Sequence, residues 1–393
     1  MSVYSVIGLQ WGDEGKGKIV DYLTSYNTER YVLPYAGVRF NGGNNAGHTV
    51  VRDGKTYKLS LIPTSILSPG TENFISMGVV VDIGHFAKEV LYLQENGVHV
   101  SPDNLSVDPG CPLILPTHIY NDQIQNKERI GSTCRGIGPA YCDFYARKAL
   151  RVSDLFLSTV QLLEKFPEIS QHTIDFLDLH REHILPYIKK VSLDNRFEDI
   201  LFEGAQGMML DVFHGTYPYV TSSPAHPAFG FVVTGFMPSS IDYSVVGVTK
   251  AYATRVGEGP FPTELIDDPV ANVLSSVGKE VGTVTGRQRR VGWLDLTQLK
   301  YAADVSGTSF LALTKIDVLD TLEEIYVGIE GDGVEKPIRY ERVKGWCTNT
   351  AGIRDVGDLP SRTLDYASLI EEFTGREIAY ISTGRDSRDI VSY

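Results

Sequence analysis

The chain has 393 residues, 42% of them hydrophobic and 22% charged, enough to bury one large core or two ordinary ones. Its net charge of −13 speaks against non-specific binding to nucleic-acid phosphates, but not against small phosphate ligands held in a local positive pocket. No stretch approaches the roughly 18 apolar residues of a membrane span, the first residues lack a basic signal-peptide region, and Cys111, Cys134, Cys142 and Cys347 lack zinc-like CxxC spacing. A cytoplasmic protein with neither nucleic-acid nor membrane partners is therefore expected.

The first strand is expected over 4–9, running into a Gly-rich turn and then a helix over 18–25. The turn carries Gly12, Asp13, Glu14, Gly15, Lys16, Gly17 and Lys18. Backbone N–H groups at such a helix start form an anion cradle, and two lysines add charge. It is not a Walker A loop, which needs four residues between its glycines and a Ser or Thr after the Lys; here Gly17 follows Lys16. With no hydroxyl for Mg²⁺, Asp13 is the hard-oxygen ligand at hand.

A second loop, 40–49, brings Asn45, Gly47, His48 and Thr49 onto one turn, where amide and imidazole donors can stabilise an oxyanion. A strand over 73–82 and a helix over 87–96 follow, then a third small-residue loop, 131–139, with Thr133, Cys134 and Arg135. The charged, amphipathic segment 152–191 reads as a helical insertion. A strand over 200–203 leads into a fourth loop bearing Gln206. Beyond a strand over 244–252, Arg287, Arg289 and Arg290 stand behind a Gly turn, and arginines so placed bind carboxylates or phosphates bidentately.

The last strand, 310–316, ends in Lys315-Ile316-Asp317. An Asp there can accept two parallel hydrogen bonds from the N1–H and 2-amino group of guanine, with the lysine stem over the base and Ser382, Thr383 and Gly384 closing on it. Each turn alone is ordinary; their number in one chain favours a nucleotide site. The alternation of strands and helices implies an α/β fold: a large, mostly parallel sheet, helical insertions and a P-loop-NTPase-like phosphate loop, in one domain over 1–393, with ligands at the carboxyl ends of the strands.

The runs WGDEGKGK, NNAGHT, RGIGPAY, FEGAQG, HGTYPYVTSS, TRVGEGPFPTEL, TGRQRRVGWLD and TKIDVLD resemble the adenylosuccinate synthetase family along nearly the whole chain. The resemblance implies a homodimeric ligase that joins L-aspartate to IMP with GTP and Mg²⁺ through a 6-phosphoryl intermediate. It implies that Asp13 removes the N1 proton and binds Mg²⁺, that His48 donates to O6 and the phosphoryl group, and that Lys16 and Gln206 assist. Gly12, Glu14, Gly15, Gly17, Lys18, Thr49 and Arg289 would surround GTP, with the Gly47 carbonyl a second metal ligand. Lys315, Asp317, Ser382, Thr383 and Gly384 would read its base. Asn45, Thr133, Gln206, Thr221 and Arg287 would hold IMP, with Arg147 reaching the 5′-phosphate of the neighbouring subunit. Thr283, Val284, Thr285, Gly286, Arg287 and Arg289 would bind aspartate.

The chain departs from the family pattern in several places: Val284 replaces a threonine, Cys134 a glycine and Arg385 a proline, 224–230 are rewritten, and an extra stretch lies near 27–36. These changes admit a viral-type alternative that takes dGMP, with ATP or GTP as donor. The retained Asp13 and Lys315-x-Asp317 favour IMP and GTP. A guanine-nucleotide switch would need the missing Walker hydroxyl, and a dinucleotide dehydrogenase the missing GxGxxG.

Overall fold

The computed structural model describes residues 2–25, 35–125, 127–194, 196–237, 242–281, 288–331 and 339–393. Nine strands form its central sheet: β1 (Ser2–Gly8), β2 (Tyr35–Arg39), β3 (Thr71–Ile75), β4 (Leu105–Val107), β5 (Asp199–Gly207), β6 (Asp242–Lys250), β7 (Phe310–Thr314), β8 (Ile378–Ser382) and β9 (Ile390–Ser392). Their order is β9-β8-β7-β6-β1-β5-β2-β3-β4. Every pair is parallel except β8 with β9. The mostly parallel α/β sheet expected from the sequence is present.

Strands covered on both faces must be apolar on both, and β1 is. Val3 and Ile7 enter one core cluster, while Val6 enters another with Ile19, Val20 and Leu23 of helix α1 (Lys16–Ser25). Strand β6 divides in the same way, Val245 to the first cluster, Val246 and Val248 to the second. From β1 the chain passes to β2 on one side, and β6 flanks β1 on the other. That reversal opens a crevice beyond the carboxyl end of β1, the position where ligands bind in open α/β sheets.

Several boundaries differ from expectation. The strand expected over 73–82 stops at Ile75; Val81 then makes an isolated bridge to Leu113. The helix expected over 87–96 starts at Ile83, where the Asp82 side chain caps it by accepting from the His85 amide at 2.9 Å. This helix, α2 (Ile83–Glu95), packs against α3 (Gln171–Ile184). Within 152–191 the helical parts are the 3₁₀ turns Val152–Phe156 and Leu185–Tyr187, the helix Thr159–Lys165 and α3. β7 ends at Thr314 because Lys315 adopts a left-handed φ of 63° and starts a 3₁₀ turn, Ile316–Leu319.

Candidate active site

A cavity of about 430 Å³ lies at the carboxyl ends of β1, β5 and β7. Its floor is the turn between β1 and α1. Gly12, Asp13 and Gly15 all take positive φ there (88°, 60° and 95°), which folds the chain tightly into the start of α1, where the first amides have no partner within the helix. Glu14 holds this shape from below. Its fully buried carboxylate accepts from the Gln10 amide (3.1 Å), the Gly12 amide (2.8 Å) and Lys16 Nζ (2.6 Å). Glycines at 8 and 207 leave room for it: a Cβ at either would come within 2.4 Å of its oxygens. Lys18 is spent on the far end of the chain, donating at 2.8 Å to Ser382 Oγ and to the Gly384 and Asp389 carbonyls. Burial lowers its pKa to about 8 against the pull of Asp389 and Asp317.

The wall beside this turn carries a second buried cluster. His48 Nδ1 meets Glu203 Oε1 in a very short contact, and the same carboxylate accepts from the Thr64 amide (2.6 Å), Thr64 Oγ1 (2.7 Å) and Arg39 Nη1 (3.2 Å). Burial alone would raise the Glu203 carboxyl; His48, Arg39 and Thr64 hold it down to about 2. Burial and the Arg39 charge lower the His48 pKa despite Glu203. With Nδ1 committed to Glu203, Nε2 is the ring nitrogen left for the cavity that His48 lines. A carboxylate so placed stabilises the imidazolium once negative charge arrives at Nε2.

The opposite wall is cationic. Arg289 Nε lies 2.9 Å from Asp13 Oδ2, yet that N–H is not aimed well enough to make a hydrogen bond, so the charge is paired and the donor unspent. Arg289 Nη1 also meets Glu280 Oε2. Lys315 reaches the Gly278 carbonyl at 2.6 Å. Asp317 lines the cavity with an Oδ1 that has no partner; burial pushes its carboxyl up while Lys315 pulls it back. Gln206, at φ 54°, has both amide atoms buried without a partner. Among the described residues, these unpaired atoms mark where a polar ligand would bond.

Of the residues expected from the sequence, Gly12, Asp13, Gly15, Lys16, Gly17, Lys18, Asn45, Gly47, His48, Thr49, Thr133, Gln206, Thr221, Arg289, Lys315, Asp317, Ser382 and Gly384 line this one cavity. Glu14 does not; it supports the loop from beneath. Thr383 is also turned away, its hydroxyl on the Ile353 carbonyl at 2.6 Å. Arg147 is exposed outside the cavity, at a left-handed φ of 64°. Thr283, Val284, Thr285, Gly286 and Arg287 lie outside the described residues. The rewritten segment 224–230 contributes nothing to the lining, which Thr221 and Ser222 do join; the Ala225 amide is tied to Asp211 Oδ2 at 2.5 Å.

Sequence reasoning gave no role to Glu203, Arg39, Trp11 or Glu280. The signal for the first two was a charge within a run that folds as a fully buried strand, since such charges require partners. Trp11 lines the cavity with its indole N–H unpartnered, one ring face near Arg255 (5.1 Å) and the other ring neighbour Phe261 (5.2 Å).

Comparison with known proteins agrees with this geometry. The family described as adenylosuccinate synthetase matches residues 5–391. An adenylosuccinate synthetase of Anaplasma marginale is 42% identical, covering 100% of this chain and 99% of its own. One from Pseudomonas aeruginosa is 42% identical over 98% of this chain and 97% of its own. A fully ligated adenylosuccinate synthetase structure from Plasmodium falciparum superposes with a TM-score of 0.88 at 31% identity, covering 100% of both chains. A cyanophage S-2L succinoaminodeoxyadenylate synthetase bound to dGMP and dATP shares the fold, with a TM-score of 0.66 at 21% identity over 100% of this chain and 95% of its own.

Proposed function

The chain belongs to the adenylosuccinate synthetase family of carbon–nitrogen ligases, and on that premise we propose that it joins L-aspartate to C6 of IMP at the expense of GTP. The observation that carries this reading is a single cavity in which Asp13 and His48 share walls with Asp317. The purine 6-oxygen leaves poorly until it is phosphorylated. Asp13 takes the N1 proton, which shifts charge onto O6. The γ-phosphoryl group then passes from GTP to O6, leaving GDP, while His48 Nε2, backed by Glu203, bonds the oxygen that gains charge. Lys16 offsets phosphoryl charge. The amine of aspartate attacks C6, the C6–O bond breaks, and phosphate leaves.

The donor set fits Mg²⁺, on which this family depends. Asp13 offers one carboxylate beside the phosphate loop, and Gly47 lines the same cavity with a carbonyl to give. Mg²⁺ keeps waters and phosphate oxygens and needs no all-protein cage; no group of three or more His, Cys, Asp or Glu able to hold a metal occurs among the described residues. Bound there, it offsets charge on the triphosphate. Asp317, with its unpartnered oxygen, reads the guanine edge beside Lys315, Ser382 and Gly384. Asn45, Thr133, Gln206 and Thr221 hold IMP, and Arg289 takes aspartate with residues 283–287. The exposed Arg147 serves the partner of a homodimer, in a chain that works as one catalytic domain in the cytoplasm. No described helix is long and apolar enough to cross a membrane.

A viral-type preference for dGMP loses its main motive, because 224–230 do not line the cavity. Purified protein assayed for phosphate release with aspartate, GTP and either IMP or dGMP tests the reading. Turnover with IMP that requires aspartate is expected. Release without aspartate, or turnover only with dGMP, would overturn it. Asp13→Asn is expected to abolish turnover while triphosphate binding persists.

A further inference from the structure

Behind the cationic wall stands a carboxylate with an unusual number of donors. Glu280 is fully buried. Lys250 Nζ lies 3.2 and 3.1 Å from its two oxygens, the Tyr252 hydroxyl donates to Oε1, Arg289 Nη1 donates to Oε2, and Lys315 Nζ lies 3.6 Å from Oε1. Lys250 is itself fully buried and also donates to Thr254 Oγ1 at 2.6 Å. Arg289 and Lys315 line the cavity; Glu280, Lys250 and Tyr252 do not.

We propose that Glu280 is a positioning residue for the ligase reaction, one buried carboxylate that fixes Arg289 at the Asp13 end of the cavity and Lys315 at the base-reading end. The proposal rests on the reading of those two cations given above. Arginine and lysine side chains have many rotamers, and an unheld pair would lose that freedom only on binding, which weakens ligands. Charge-assisted bonds to an acceptor that cannot move remove the cost beforehand. Three cations, Lys250, Arg289 and Lys315, converge on the Glu280 carboxylate, and Arg289 also faces Asp13. Asp13 and Arg289 satisfy each other's charge, the buried Arg289 Nε lying 2.9 Å from Asp13 Oδ2.

The alternative is that Glu280 only neutralises the buried Lys250. Two variants separate the roles: Glu280→Gln, and Glu280→Gln with Lys250→Met, which restores charge balance in the core without restoring the hub. Melting temperature and the KM values for GTP, aspartate and IMP are measured for each, with the wild-type chain alongside. In both variants KM for aspartate is expected to rise about tenfold, the loss of the charge-assisted bond to Arg289, and KM for GTP to rise less, since Lys315 loses an ion pair but keeps its bond to the Gly278 carbonyl, with KM for IMP unchanged. The double variant is expected to regain the melting temperature lost in Glu280→Gln. Wild-type KM values in Glu280→Gln, or recovery of activity in the double variant, would overturn the proposal. A wild-type chain that fails to turn over IMP with aspartate would instead sink the proposed function.

Discussion

Replacing Glu203 by Gln removes one charge and leaves the volume almost unchanged, so its effects report on electrostatics. Four donors now converge on the carboxylate: the Thr64 amide, Thr64 Oγ1, Arg39 Nη1 and His48 Nδ1. The amide offers a single oxygen, so at least one donor is left unmade, and Arg39, 1% exposed, keeps its charge with no counter-charge at this distance. Removing one partner of a buried pair costs roughly 3–5 kcal/mol, which urea unfolding would register as a lowered midpoint at constant m-value. The chemical step should suffer separately. Glu203 raises the His48 pKa against burial and Arg39, so its loss lowers that pKa further and the imidazolium loses its stabiliser. A fall in kcat of about 10²–10³ is expected, the size seen when one oxyanion donor is removed. Proton NMR titration of His48 and steady-state phosphate release measure the two consequences. A folded variant with an unchanged His48 titration and wild-type kcat would refute the reasoning.

Three further outcomes are expected. Gly17→Ala would place a Cβ 2.9 Å from His48 Cβ, an overpacking cost of roughly 1–3 kcal/mol together with a fall in kcat. Gly97→Ala, at φ 81° with nothing within 4 Å, should cost only about 1–2 kcal/mol of backbone strain and leave kcat alone, and equal kcat losses in the two would count against the argument. Asp317→Asn should cut kcat/KM for GTP by roughly 10²-fold or more while ATP is affected little, because the site's paired acceptors are lost; equal effects on both donors would remove Asp317 as the base reader. Glu203 and Glu280 are both held near 2, below the carboxylate value of 4.5. Between these limits the unfolded chain binds more protons, so their contribution is present above about pH 4.5 and lost as pH falls toward 2. Unfolding free energy followed from pH 6 to 3 should therefore fall more steeply in the wild type than in the Glu280→Gln/Lys250→Met variant, and parallel slopes would contradict this.

The sheet's centre was readable because β1, β5, β6 and β7 are apolar runs followed by Gly-rich or charged turns. β2 escaped notice: Gly37 and Arg39 interrupt its five buried residues, and only the fold reveals that Arg39 is paired with Glu203. β4 and β9 have three residues each, too few for a periodic pattern, and β8 is only partly buried, with Ala379 and Tyr380 short of full burial. The lining of the cavity was largely legible, since several loops rich in Gly, Asn and charge occur in one chain, although each alone is an ordinary turn. Its supports were not. Glu14 looks like another phosphate-loop residue in sequence, but its place beneath the loop depends on Gly8 and on Gly207, which lies on a different strand. Glu280 sits beside a Gly-rich run with nothing in its local pattern to reveal the three donors it collects or its ion pair with Lys315.

The Lys18 tether has a consequence for how the protein is made. Its ammonium joins a helix near the start of the chain to acceptors 364, 366 and 371 positions further on. Contacts of such separation carry the largest loop-closure cost and slow folding. On the ribosome that tether cannot form until residues 382–389 have emerged. A nascent or prematurely ended chain therefore lacks both the acceptors that hold Lys18 and the part of the cavity lining that Ser382 and Gly384 supply.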